Sequence, residues 1–252
     1  MRRAIVFTVA FLLPGLAWSD DRRTGYDDMN ADLQALQDDP MNPATFWVLD
    51  GERLWSEPAG TTAQSCADCH GPAEDSMQGV AARYPSFDEP SGTAVDLLGR
   101  IALCQSRHQQ TAEPQDRSDP DRLALLAYVT HQSRGLPIMP DEDPRLAPAR
   151  ARGEALFSSR MGQLNLSCAQ CHDDNAGGYL AAARIPQAHP TGYPQYRLEW
   201  ETLGSLDRRL AGCMTGVRAD PFAPGSPELV ALELFLKSRA AGLTVEALPI
   251  RP

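Results

Sequence analysis

Lysine is almost absent from this chain: Lys237 stands alone among 252 residues, and the rest of its 23 basic side chains are arginine. Positive charge is in deficit too. Against those 23 stand 33 Asp and Glu, a formal net charge of −10. That balance excludes nucleic acid and anionic lipid as electrostatic partners and suits a basic protein surface. No apolar run approaches the roughly 20 residues of a bilayer-crossing helix. The one at Ala4 to Leu13 follows Arg2-Arg3 and precedes a Pro14-Gly15 break and Ala17-Trp18-Ser19. A charged start, a short apolar stretch and small residues two apart make a secretory signal peptide, residues 1–19, so a periplasmic protein is expected. Strand-like alternation is weak throughout, which points to an all-α fold. In an exported chain, six Cys would first suggest three disulfides, but four of them lie in another pattern.

The chain reads as two copies of one unit. Gly51-Glu52-Arg53-Leu54-Trp55 matches Gly153-Glu154-Ala155-Leu156-Phe157, and Cys66-Ala67-Asp68-Cys69-His70 matches Cys168-Ala169-Gln170-Cys171-His172, both at an offset of 102. Ala82-Arg83-Tyr84-Pro85 matches Ala183-Arg184-Ile185-Pro186 at 101, and Arg100 to Cys104 matches Arg209 to Cys213 at 109. Ala124 to Leu136 matches Ala231 to Leu243 at 107, so the offsets drift only as loops would allow, for example in Ala188 to Arg197. Helices are expected at Gly51–Trp55, Ala94–Gln105 and Arg122–Ser133, then at Pro148–Phe157, Leu206–Val217 and Pro227–Ala240. A Pro-rich linker, Pro137 to Pro148, separates the units. The organisation is an N-terminal extension (20–45) followed by two tandem class-I-like cytochrome c domains, 46–145 and 146–252.

The cytochrome reading rests on Cys-x-x-Cys-His, the attachment site of c-type haem. Two thiols add to the haem vinyl groups, and one helical turn brings the following His to the iron. Cys-x-x-Cys alone also serves zinc and dithiol redox chemistry. Two copies, each followed by His and at equivalent places in a duplication, point instead to two covalently bound haem c. Cys66, Cys69 and His70 hold the first, and Cys168, Cys171 and His172 the second. His70 and His172 are the proximal ligands.

The sixth ligand separates functions, because electron carriers use Met or His there. Matched positions limit the choice. Met139 faces Glu246, Met214 faces Gln105, His131 faces Ser238 and His108 faces Val217, while His189 has no counterpart. Only Cys104 and Cys213 recur, each four residues after an Arg and 34 and 41 residues after its proximal His. They are expected as distal thiolates. A Cys104–Cys213 disulfide, or a thiolate at one haem only, is the alternative. Trp47, Trp55, Tyr128, Phe157 and Phe235 fit core packing around haem.

With these motifs, Gly99-Arg100-Ile101-Ala102-Leu103-Cys104 and Arg208-Arg209-Leu210-Ala211-Gly212-Cys213, the chain resembles the SoxA subunits of the SoxAX cytochromes, over essentially its whole mature length. The resemblance implies an L-cysteine S-thiosulfotransferase. Thiosulfate is joined oxidatively to a cysteine of a SoxYZ carrier, and electrons leave through c-type haem to an acceptor cytochrome c. A small monohaem subunit, SoxX, is the implied partner. The second haem is the implied active site, with Cys213, open to persulfide modification, and Arg209 as catalytic residues. On a helix Arg209 and Cys213 share a face, and a guanidinium there favours thiolate and can hold a sulfonate by its fork. Arg208 and Arg218 are further candidates, and Arg100 beside Cys104 reads as structural. A plain dihaem electron carrier, or a dihaem peroxidase, is the competing reading.

Overall fold

The computed structural model describes residues 20–111, 116–246 and 249–252, so the expected signal segment 1–19 lies outside the described residues. The first half contains α1 (Ala31–Asp38), α2 (Pro43–Ser56), α3 (Cys66–His70), α4 (Ala73–Ser76) and α5 (Val80–Arg83). A hairpin follows, β1 (Ser86–Asp88) and β2 (Thr93–Val95), then α6 (Leu97–Cys104), which runs on as a π turn through Gln109, and α7 (Pro120–His131). The second half contains α8 (Ala147–Ser158), α9 (Cys168–His172), hairpin β3 (Tyr179–Leu180) and β4 (Ala183–Arg184), and hairpin β5 (Gln195–Arg197) and β6 (Thr202–Gly204). It closes with α10 (Leu206–Gly216), α11 (Pro227–Arg239) and β7 (Ile250–Arg251). The molecule is therefore mainly helical, with three short sheets added among the described residues.

Each half is built on one helix crossing. Asn42 caps α2 by accepting from the Ala44 amide, and Ala44, Val48, Gly51 and Trp55 form its buried stripe against α7. A Cβ on Gly51 would lie 2.2 Å from the Ala124 carbonyl oxygen, and one on Gly153 would lie 2.0 Å from that of Ala231. Only glycine lets these pairs of helices approach so closely. The duplication seen in the sequence is thus a duplicated packing device.

The helix bounds expected at Pro148–Phe157, Leu206–Val217 and Pro227–Ala240 agree with α8, α10 and α11 to within about a turn. Others shift for local reasons. The helix read at Gly51–Trp55 starts earlier, because Asn42-Pro43 is a cap followed by Pro in the first turn. The one read from Ala94 is preceded by β2 and begins only after Asp96, whose side chain accepts from the Gly99 amide at 2.8 Å. The Pro-rich linker is packed rather than loose. Ile138 is buried, its amide donates to the Leu243 carbonyl at 2.8 Å, and Leu146 is fully buried. The N-terminal extension lies on the second half: Gln37 Oε1 accepts from the Ile250 amide at 3.1 Å and from Arg251 Nη1 at 2.7 Å.

The repeat pairing also changes between the haem motif and the distal helix. The hairpin β5–β6 and helix α10 sit 109 residues after β1–β2 and α6, so Tyr84-Pro85 corresponds to Tyr193-Pro194 and not to Ile185-Pro186. Both Tyr-Pro bonds are cis. The insertion lies around β3–β4, ahead of the Ala188–Arg197 segment.

The two halves meet in a buried charged cluster. Arg117 pairs with Asp96, the cap of α6, and its Nε lies 2.6 Å from Asp207 Oδ2 in the first turn of α10. One guanidinium therefore ties together the starts of the two helices that carry Cys104 and Cys213. Glu233 and Lys237 of α11 line an adjoining cavity of about 30 Å³ with Asp96, about the space of one water. Burial first, and then Asp96, push the Glu233 carboxyl up to about 8, while burial lowers Lys237 against the pull of Glu233.

This sets a sign. In the unfolded chain Glu233 ionises near 4.5, but in the folded one only near 8, so its contribution to stability is complete below pH 4.5 and is lost as the pH rises toward 8. Glu233→Gln removes that loss. The melting temperature of the variant relative to the parent is expected to rise by several degrees across this window, and a difference flat with pH would refute it.

Candidate functional site

Both Cys-x-x-Cys-His segments form a single helical turn locked at its start. Ser65 accepts from the Asp68 amide at 3.1 Å while Asp68 accepts from the Ser65 amide at 2.8 Å; Ser167 and Gln170 repeat this reciprocal cap. The turn presents two sulfurs and an imidazole on one side. In the first half Trp55 lies 5.8 Å from the His70 ring and donates from Nε1 to the Gly71 carbonyl at 3.0 Å. In the second, His172 Nδ1 lies 2.7 Å from the Pro186 carbonyl oxygen. That contact makes Nδ1 the donor and leaves Nε2 free to ligate, the usual support of a metal-bound histidine. Burial lowers the His172 pKa and so favours the neutral, ligating imidazole.

Burial also pushes the Cys66 thiol up to about 11, with Cys104 the next influence, and the Cys168 thiol up to about 11, with Cys213 next. Cys104 and Cys213 thus each stand beside the Cys-x-x-Cys-His motif of their own half. No disulfide joins Cys104 to Cys213 in this structure. Two thiols, an imidazole with a free nitrogen and a facing sulfur are a donor set that fits a covalently held haem c in each half. Trp55, Tyr128 and Phe157 are buried at these sites, and Phe157 and Phe235 meet at 5.4 Å between ring centres.

The two distal helices differ in how their arginine is held. Arg100 donates from Nε to the Tyr84 hydroxyl at 3.1 Å and from Nη1 to Asp88 at 2.7 Å. Arg107 grips the same carboxylate at 2.9 and 2.8 Å. Asp88 is fully buried, and its arginine partners, Arg107 foremost, hold its carboxyl far below the usual range. Arg100 is accordingly consumed in a closed ion network. Arg209, its counterpart one turn before Cys213, makes no side-chain hydrogen bond or ion pair with any described residue. Its charge reaches His172, Tyr193 and Glu199 only through space.

The other arginine candidates are differently occupied. Arg208 is exposed and stacks 4.1 Å from the Trp200 ring. Arg218 has a left-handed backbone, φ 58°, and its carbonyl accepts from the Gln163 amide at 3.2 Å. Gln110 of the first half has the same conformation, φ 54°, in the corresponding turn. The sequence reading missed Tyr193, Asp88 and Arg197. Pairing Tyr84-Pro85 with Tyr193-Pro194 would have exposed all three.

Two stacked helix pairs, each presenting a capped Cys-x-x-Cys-His turn to a distal helix, define a two-domain c-type cytochrome. The family described as SoxA/TsdA, cytochrome c domain, matches at residues 50–138 and again at 152–245. A SoxA subunit of L-cysteine S-thiosulfotransferase from Rhodovulum sulfidophilum is 36% identical over 233 residues, covering 92% of this chain and 81% of that one. The corresponding subunit from Paracoccus pantotrophus is 35% identical over 226 residues, covering 89% of this chain and 76% of that protein. The crystal structure of SoxXA from P. pantotrophus superposes with a TM-score of 0.87 at 32% identity, covering 92% of this chain and 87% of the other. The chain belongs to the SoxA family of cytochromes c. Among the described residues no helix is long and apolar enough to cross a membrane.

Proposed function

We propose that this chain is the dihaem subunit of a periplasmic L-cysteine S-thiosulfotransferase. It consists of two class-I-like all-α cytochrome c domains, bounded near residues 46–145 and 146–252, and acts with a monohaem SoxX-type cytochrome. The relatives' names and the SoxXA likeness support the assignment. In the reaction an S–S bond forms between the outer sulfur of thiosulfate and a carrier cysteine thiol. The thiol proton is released and two electrons leave, and bound haem c supplies their acceptors on the way to a separate cytochrome c. The carrier is SoxYZ.

What carries this reading is the contrast between the halves: Arg100 is neutralised by Asp88, and Arg209 has no acid partner among the described residues. A guanidinium that no carboxylate among the described residues pairs with, in an acidic protein, offers a fork to a dianion that the net charge would otherwise repel. Cys213, four residues on along the same helix face, is the thiol that would stand beside the bound dianion and ligate the second haem iron, as thiolate or persulfide. Cys66, Cys69 and His70 would hold the first haem, with Cys104 as the candidate second ligand; Cys168, Cys171 and His172 would hold the second, with Cys213.

Non-reducing mass mapping of the purified haem-loaded protein tests the assignment. Haem on both Cys-x-x-Cys-His peptides with one extra sulfur on Cys213 is expected. A Cys104–Cys213 crosslink would leave a dihaem electron carrier instead. A second measurement separates the haems. Cys104→Ala should change the absorption of the first haem alone and cost at most a fewfold in turnover, whereas abolished catalysis in a folded variant would move the active site to the first half.

A further inference from the structure

Between the two halves one position reverses charge where it matters most. The hairpins β1–β2 and β5–β6 have the same register, with Asp88 opposite Thr93 in the first and Arg197 opposite Thr202 in the second. Arg197 therefore occupies the place of the buried carboxylate that captures Arg100. We propose that Arg197 is a second substrate-positioning arginine, which with Arg209 holds the thiosulfate dianion beside Cys213; this deepens, and rests on, the function proposed above.

The side chain of Arg197 is only 12% exposed, and it donates from Nη2 to Glu199 at 3.0 Å. Its guanidinium lies 5.1 Å from the centre of the Trp200 ring, and its buried Nε has no hydrogen-bond partner among the described residues, where a missing acceptor is costly. Glu199 does not close the circuit as Asp88 does, because its carboxylate is 57% exposed and stays hydrated. The Tyr193 phenol, pushed up to about 12 by burial, lies within electrostatic reach of Arg209, Cys213, Arg251 and Arg197. Arg209 and Arg197 thus both act electrostatically on Tyr193 and on Glu199, and Arg208 stacks on Trp200 nearby. Thiosulfate brings two negative charges and three sulfonate oxygens. A pair of planar forks matches those oxygens, and the outer sulfur is left toward the thiol.

The test uses the haem-loaded protein assembled with its monohaem partner, in the variants Arg197→Gln, Arg197→Lys and Arg209→Ala. Steady-state turnover with the carrier protein gives KM and kcat, and titration of the Soret band with thiosulfate in the absence of carrier gives a Kd. For Arg197→Gln, KM and Kd are expected to rise about tenfold or more while kcat at saturation changes little. Arg197→Lys, which keeps the charge but not the fork, should fall between. Wild-type KM and Kd in the Gln variant would overturn the proposal, and in the Lys variant would do so should the Gln variant not fold. If Arg209→Ala still loses activity in that case, only the role of Arg197 fails. If the unaltered complex forms no S-thiosulfonate on the carrier, the function itself fails.

Discussion

Arg209→Ala is expected to lower the rate of thiosulfate conjugation by about a hundredfold or more while leaving both haems attached. The size follows from what the side chain lacks. Its guanidinium has no acid partner among the described residues, so no internal pair absorbs its charge, and truncation removes a whole charged fork from the substrate. The retention of haem follows from the same fact. Removing an unpaired cation leaves no buried anion stranded, unlike the first half, where fully buried Asp88 depends on Arg100 and Arg107. Haem-stained gels and the Soret spectrum check attachment, and mass spectrometry of the carrier counts the adduct. Unchanged conjugation would remove Arg209 from the mechanism.

Arg117→Leu is the change expected to weaken the fold most. The Arg117, Asp96 and Asp207 side chains are only 15%, 6% and 4% exposed, so the carboxylates it pairs have little water to fall back on. Asp207 keeps one hydrogen bond, from the Gly225 amide at 2.9 Å, and its Oδ1 has none. Removing the cation should cost about 3–5 kcal/mol, the range for breaking a buried pair. An exposed pair such as Arg53–Glu57 is worth at most about 1 kcal/mol. Adding Asp207→Asn to Arg117→Leu should recover part of the loss, because the stranded charge goes with it. Thermal unfolding of the haem-loaded protein reads both, and a loss below about 1 kcal/mol would show the cluster to be hydrated.

The Cys-x-x-Cys-His turns were legible because their signals are local: two Cys, a His and a capping Ser lie within six residues. The later helices were legible for a similar reason, since Pro, Ser and Gly mark the ends of α10 and α11. The slip in the repeat, pairing Ala82–Pro85 with Ala183–Pro186, arose because a shared Ala-Arg-x-Pro outweighed a better match beyond an insertion. Strands of two or three residues are too short to show alternation, which is why the hairpins that carry Asp88 and Arg197 went unread. Arg117 left no trace at all. Its partners lie 21 residues before it and 90 after it, and only the docking of the halves brings them together.

Lys237, the single lysine, is 6% exposed in the wall between the halves. Every cationic side chain that the described surface shows to a partner is therefore a guanidinium or an imidazole. Since arginine does not titrate in the accessible range, the arginine share of that exterior keeps its charge through any alkaline condition the folded protein survives. Amine-directed crosslinkers find almost no lysine to react with on this chain, so they will rarely join it to a docking partner. Mapping the interface from this side needs carboxylate- or arginine-directed reagents.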